Sequence, residues 1–154
     1  MLGTEELLKE ELIVIDMKAK DSNEAIGKLA QVLYKNAFVK ESYIKAVQDR
    51  EKNFPTGLPT EGVGVAIPHT DVEHVNTPAM AIAVLEEPVT FRMMGMIEEK
   101  VKVQILFMLA IKESKTQIKL LQRLMNIFED RDILEKIHKS TTPGEIKEIF
   151  SVVV

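Results

Sequence analysis

The residues best suited to chemistry in this chain are Pro68-His69 and the polar loop that follows them. Imidazole is neutral near neutral pH, and either ring nitrogen can attack an electrophile when the proton sits on the other. Pro68 fixes its own φ and restricts Ile67 before it, so His69 leaves the chain on a stiff stem. In-line attack on phosphorus needs that rigidity. A loop histidine that only hydrogen-bonds to its neighbours has the same surroundings in sequence, so that plainer reading stays open. Arg50 can offer a planar donor fork to a phosphoryl group, although a helix-end arginine favoured by the dipole explains it equally well. His69-Thr70-Asp71-Val72-Glu73-His74 also gathers two histidines and two carboxylates suited to zinc or a harder ion. Its spacing matches no strong zinc motif, and no metal site is expected. His138, flanked by Lys136 and Lys139, reads as a solvated helix-end histidine.

Composition narrows the classes. A chain of 154 residues has the length of a single domain, and its 45% hydrophobic content is enough for a core. The formal charge is -4 with both signs dispersed, which excludes the basic stripe of a nucleic-acid footprint. No polybasic or amphipathic segment suggests a membrane surface, and the longest apolar runs are too short to span a bilayer. With no cysteine, disulfides, thiolate zinc sites and cysteine nucleophiles are excluded. The acidic stretch Met1 to Glu11 has no signal-peptide pattern. A cytoplasmic protein is expected.

These residues need elements to position them. Leu12 to Ile15 is apolar and β-branched, a buried strand. Asp21 with Glu24 three residues on forms a capping box, opening a helix whose core face carries Ala25, Ile26, Leu29, Ala30, Val32 and Leu33 and which ends at Asn36. A second helix over Glu41 to Lys52 buries Tyr43, Ile44 and Val47 and carries Arg50 and Glu51 at its end. Pro55, Gly57, Pro59 and Gly62 make residues 53–62 a loop. Val63 to Ile67 is a small-residue strand stopped by Pro68, which places His69 just beyond a strand end. Further strands are expected over Ala79 to Leu85, Val89 to Phe91 and, centrally, Val101 to Ile111. Met93, Met94 and Met96 read as packing residues, or with Phe91 as the border of a contact patch. Thr116 to Phe128 is a helix with Ile118, Leu121, Leu124, Met125 and Phe128 inward; Ile133, Leu134 and Ile137 mark a short helix. Thr142, Pro143 and Glu145 start the last one. Interleaved helices and strands predict an α/β (α+β) fold, a sheet flanked by helices, with the chemistry in a loop after a strand.

Asp49-Arg50-Glu51, Pro55-Thr56-Gly57 and Gly64-Val65-Ala66-Ile67-Pro68-His69 closely resemble the fructose/mannitol-type (type 2) EIIA domains of the bacterial phosphoenolpyruvate-dependent phosphotransferase system. The resemblance extends to the Ala25-Ile26 helix, Tyr43, the long strand before Ala110 and the Thr142-Pro143 helix, and so covers nearly all of residues 1–154. Pro68 to Asp71, Glu73-His74-Val75, Pro78-Ala79, Pro88-Val89, Phe91 and Met94-Gly95 look most like the galactitol-type branch. The resemblance implies a single-domain mixed β-sheet with helices on both faces. It implies that His69 takes a phosphoryl group from the carrier protein HPr and passes it to a cysteine of EIIB, which phosphorylates the sugar as the membrane component EIIC imports it. Arg50 matches the family arginine that steadies the phosphoryl group, and no cofactor or metal is implied. Glu51, Thr56 and Thr70 lie inside the matched motifs as candidate supporting residues. Two departures stand out. Gln117 takes the place of a second histidine that begins the helix after the long strand in mannitol-type relatives, and His74 is the alternative source of that imidazole. The loop between Arg50 and His69 is also a few residues longer. Two other readings are a regulatory relative of the nitrogen-linked type, acting through protein binding, and a metal-binding module built on His69, Asp71, Glu73 and His74.

Overall fold

The computed structural model describes residues 4–153. A short helix α1 (Thr4–Leu7), which no sequence signal announces, leads into β1 (Leu8–Met17), α2 (Ser22–Lys35) and α3 (Ser42–Asn53). Two brief strands follow, β2 (Gly57–Leu58) and β3 (Gly64–Ala66), then a single 3-10 turn at Val72–His74. The long strands β4 (Ala79–Met93) and β5 (Met96–Ala110) precede α4 (Ser114–Phe128), α5 (Arg131–Lys139) and α6 (Pro143–Val153).

The β4–β5 hairpin is antiparallel and forms the middle of the sheet. β1 adds in parallel to β4, β3 in parallel to β5, and β2 antiparallel to β3. Gly57 of β2 also reaches Met93 at the far end of β4, so the sheet curls back on itself. The sheet is mixed, and alternate residues along its strands supply two cores. Leu12, Ala81, Ala83, Leu106 and Met108 pack with α2 and α3 on one face. Ile13, Met80, Ile82, Phe107 and Leu109 pack with α1, α4, α5 and α6 on the other. On that second face Phe107 meets Phe128 at 5.0 Å and Phe150 at 6.3 Å between ring centroids, both tilted. Such pairs add about 0.5–1.5 kcal/mol each to simple burial.

Three expectations need correction. Ala79–Leu85 and Val89–Phe91 are one strand, because Leu85 to Pro88 stand opposite the single residue Gln104 as a bulge; Pro88 is tolerated there because a bulge has no ladder bond to lose. The 53–62 loop contains β2, whose pairing on β3 and β4 overrides its turn chemistry. In α4 the inward face is Leu120, Leu124, Ile127 and Phe128, while Ile118 is exposed and Leu121 and Met125 are half-buried. The caps hold as read: Asp21 accepts the Glu24 N–H at 2.8 Å, and Thr142 accepts the Glu145 N–H at 3.3 Å.

Gly64 is required by a close approach of backbones. A Cβ built there would lie 2.1 Å from the Lys102 carbonyl oxygen. Gly64→Ala must therefore push β3 off β5, and an overpacked strand of this kind loses about 3 kcal/mol. A urea titration should show a lowered midpoint with an unchanged slope.

Candidate functional site

The stem read from sequence is present and its restraints can be named. β3 ends at Ala66, Ile67 is fully buried and Pro68 is buried. The Pro68 carbonyl accepts the Leu109 N–H at 3.0 Å, and His69 forms an isolated parallel bridge with Leu109. His69 therefore sits at the end of β5 as well as beyond β3. Its ring is half-buried, with Nδ1 at 2.8 Å from the Ile67 carbonyl oxygen. A carbonyl only accepts, so Nδ1 carries the proton and Nε2 holds the free lone pair. Burial lowers the proton affinity of the ring below the ordinary histidine value; the Arg50 charge lowers it further, against the Ile67 bond and Asp71. The neutral, nucleophilic form is the one present at neutral pH.

The α3 helix supplies the charged groups. Tyr43, Val47, Arg50 and Glu51 fall at helical spacing on one side of it. The Arg50 guanidinium lies over the Phe54 ring, 5.0 Å from its centroid. Its Nε–H is buried and has no hydrogen-bond partner among the described residues. A buried unsatisfied donor calls for an explanation, and an anion arriving beside His69 would satisfy it with a charge-assisted bond. Glu51 is largely buried and takes two bonds from one residue: the Thr56 N–H at 2.8 Å and the Thr56 hydroxyl at 2.8 Å. Thr56 Oγ1 in turn accepts the Ile67 N–H at 3.2 Å.

Burial pushes the Glu51 carboxyl up to about 7, although the Thr56 bonds and Arg50 pull it down. This is a raised carboxylate, so the sign runs opposite to the usual case. Below pH 4.5 the group is protonated in both states; between 4.5 and about 7 only the folded state holds the proton, and stability falls as pH rises. Above that window the accumulated cost is about 3 kcal/mol, from 2.5 pH intervals at 1.36 kcal/mol each. Urea titrations at pH 5 and pH 8 should show this loss in wild type. Glu51→Gln should remove that pH dependence and add a pH-independent loss of about 1–3 kcal/mol, because an amide accepts only one of the two Thr56 donors.

The remaining candidates divide. Thr70 is buried next to His69. His74 has partners of its own, a 2.8 Å bond between Nδ1 and the Ser42 hydroxyl and Glu73 at 3.9 Å from Nε2, and no hydrogen bond links it to His69. Gln117 lies in the first turn of α4, on the chain that leaves β5 just after Leu109; its Oε1 is buried without a hydrogen-bond partner among the described residues. His69, Asp71, Glu73 and His74 do not converge: among the described residues no group of three or more histidine and carboxylate side chains could hold a metal ion. His138 is half-buried in the last turn of α5. Sequence reasoning missed the hydroxyl of Tyr43, which donates to the Leu109 carbonyl at 2.6 Å inside the core. Its spacing from Arg50 and Glu51 along α3 was the available signal.

Among the described residues no helix is long and apolar enough to cross a membrane. The profile of the family described as "Phosphoenolpyruvate-dependent sugar phosphotransferase system, EIIA 2" matches residues 6–152. The chain is 27% identical over 146 residues to the mannitol-specific phosphotransferase enzyme IIA component of Staphylococcus aureus, covering 94% of this chain and 95% of that one. It is 31% identical over 132 residues to the Bacillus subtilis transcriptional regulator ManR, where it covers 84% of its own length and only 19% of the regulator's. Its fold matches that of IIA mannitol from Escherichia coli with a TM-score of 0.77 at 26% identity, over 93% of this chain and 98% of that one. A solved complex of the Escherichia coli enzyme IIAMtl with phosphorylated IIBMtl matches with a TM-score of 0.78 at 25% identity, over 94% of this chain and 96% of that one. The chain belongs to the EIIA 2 family of the phosphoenolpyruvate-dependent sugar phosphotransferase system and is a phosphotransferase component of that system.

Proposed function

We propose that His69 is the phosphoryl carrier of this chain, loaded by phospho-HPr and unloaded onto a cysteine of an EIIB protein in the cytoplasm. Two observations carry the reading: Nε2 of His69 is left free, and Arg50, whose charge acts on His69, has a buried Nε–H without a partner among the described residues. In the loading step the Nε2 lone pair forms a bond to phosphorus as the donor's phosphorus–nitrogen bond breaks, and its electron pair returns to the donor ring. Nδ1–H stays on the Ile67 carbonyl, which supports the positive charge the His69 ring acquires. Arg50 faces the oxygens over which the transition-state charge spreads. In the unloading step an EIIB thiolate forms the sulfur–phosphorus bond and His69 leaves neutral. A partner of that kind is supported by the complex solved for the Escherichia coli relative. EIIC is engaged only through EIIB.

The galactitol-like stretch from Pro68 to Gly95 supports galactitol as the sugar, whereas the transport relatives from Staphylococcus aureus and Escherichia coli are mannitol components. A regulatory role is the second reading, favoured by the 31% identity to a segment of ManR. Incubation with phosphoenolpyruvate, enzyme I and HPr should add one acid-labile phosphate by intact mass, and galactitol EIIB should discharge it faster than mannitol EIIB. Failure of a competent HPr to load the protein would overturn the carrier reading. Loading without discharge to either EIIB would favour regulation.

A further inference from the structure

The site's hydrogen bonds converge on Ile67, a residue with no reactive group of its own. Its N–H is gripped by Thr56 Oγ1, and its carbonyl receives the His69 Nδ1–H. We propose that Glu51 and Thr56 form a positioning clamp that holds Ile67 so that its carbonyl fixes the tautomer and the aim of His69. The inference rests on His69 being the carrier, and it adds how the reactive nitrogen is selected.

Ile67 lies just past the end of β3, so its N–H has left the strand and needs another partner. Thr56 supplies one, and a hydroxyl can turn either way. Glu51 removes that freedom: its two oxygens accept hydrogen bonds from the Thr56 hydroxyl and the Thr56 N–H together, leaving a Thr56 lone pair turned to Ile67. Pro68 restricts Ile67 from the other side. With both flanks held, the Ile67 carbonyl points one way, and the His69 ring follows it through Nδ1–H. A second grip comes from the same helix: the Tyr43 hydroxyl holds the Leu109 carbonyl while the Leu109 N–H holds the Pro68 carbonyl. The α3 helix thus holds β5 directly through Tyr43 and the Ile67 segment beyond β3 indirectly through Thr56. Thr56 is 3% exposed, which leaves its hydroxyl to these internal partners.

The test uses full-length protein with 15N-labelled histidine. In wild type, ring nitrogen spectra should show one tautomer, protonated at Nδ1. Thr56→Val keeps the shape and removes the hydroxyl. It should give mixed tautomers and slow loading from phospho-HPr about tenfold or more, with the donor KM within about twofold, as small misplacements of a nucleophile do. Thr56→Ser should return the single tautomer and a rate within about threefold of wild type. Glu51→Gln should act in the same direction as Thr56→Val and takes over the test if Thr56→Val does not fold. A folded Thr56→Val with one Nδ1–H tautomer and an unchanged rate overturns the clamp, and so does a Thr56→Ser that fails to rescue. The tautomer spectra need no phosphoryl donor. If wild type is never loaded yet Thr56→Val scrambles the tautomer, the clamp stands and the carrier reading fails; if wild type loads and Thr56→Val is indifferent, the reverse holds.

Discussion

His69→Ala is expected to accept no phosphate from phospho-HPr, a loss of at least about 10⁴-fold in loading rate, as removal of a nucleophile produces. The other two histidines have different settings: Nδ1 of His74 is bonded to the Ser42 hydroxyl, and His138 lies in the last turn of α5. The variant should remain folded, because the half-buried ring makes one hydrogen bond, worth about 1 kcal/mol. Intact mass and a thermal melt on the same sample separate loss of chemistry from loss of fold. The pH profile of wild type belongs to the same prediction. With its proton affinity lowered by burial and by Arg50, His69 is neutral above the ordinary histidine range. Protonation of His69 should therefore slow loading only as pH falls below about 6.5. Phosphate appearing on another residue of His69→Ala, found by peptide mass, would displace His69 from its role.

Arg50→Ala is expected to lower the loading rate constant by about 10²–10³-fold, the cost of losing one preorganised donor to developing charge. The effect should fall on the rate constant more than on KM, because the buried Nε–H lacks a partner in the resting site and, on the proposed role, would gain one from the phosphoryl oxygens. Arg50→Lys keeps the charge and loses the planar fork, so it should recover only part of the rate. Little stability is at stake: the packing on exposed Phe54 contributes about 0.5–1 kcal/mol. The variant also reports on the electrostatics. Arg50 depresses the proton affinities of both His69 and Glu51, so in Arg50→Ala both should move upward, His69 visibly in an NMR titration. A rate within threefold of wild type would remove Arg50 from the site.

Where the determinants are local, the sequence alone was sufficient. Asp21 with Glu24 and Thr142 with Glu145 mark helix starts because each cap is made within four residues. Pro68 ends a strand and stiffens the approach to His69 wherever that strand is placed. Interleaved apolar runs implied a sheet flanked by helices, the motif around Arg50 and His69 pointed to the family, and that resemblance implied helices on both faces. What stayed hidden depends on partners distant in the chain. β2 is a strand only because Gly57 meets Ala66 and Met93. The two pieces of β4 join because Gln104 on its neighbour leaves room for four residues of bulge. The inward face of α4 is rotated from the expected one because the sheet beneath it, not helical periodicity, chooses among several apolar stripes. Arg50, Glu51, Thr56, Ile67 and His69 were all visible as residues. That Thr56 joins Glu51 to the Ile67 N–H, and that the Ile67 carbonyl leaves Nε2 of His69 free, was decided by tertiary structure, since hydrogen bonds follow the directions of groups in space and sequence records only their order.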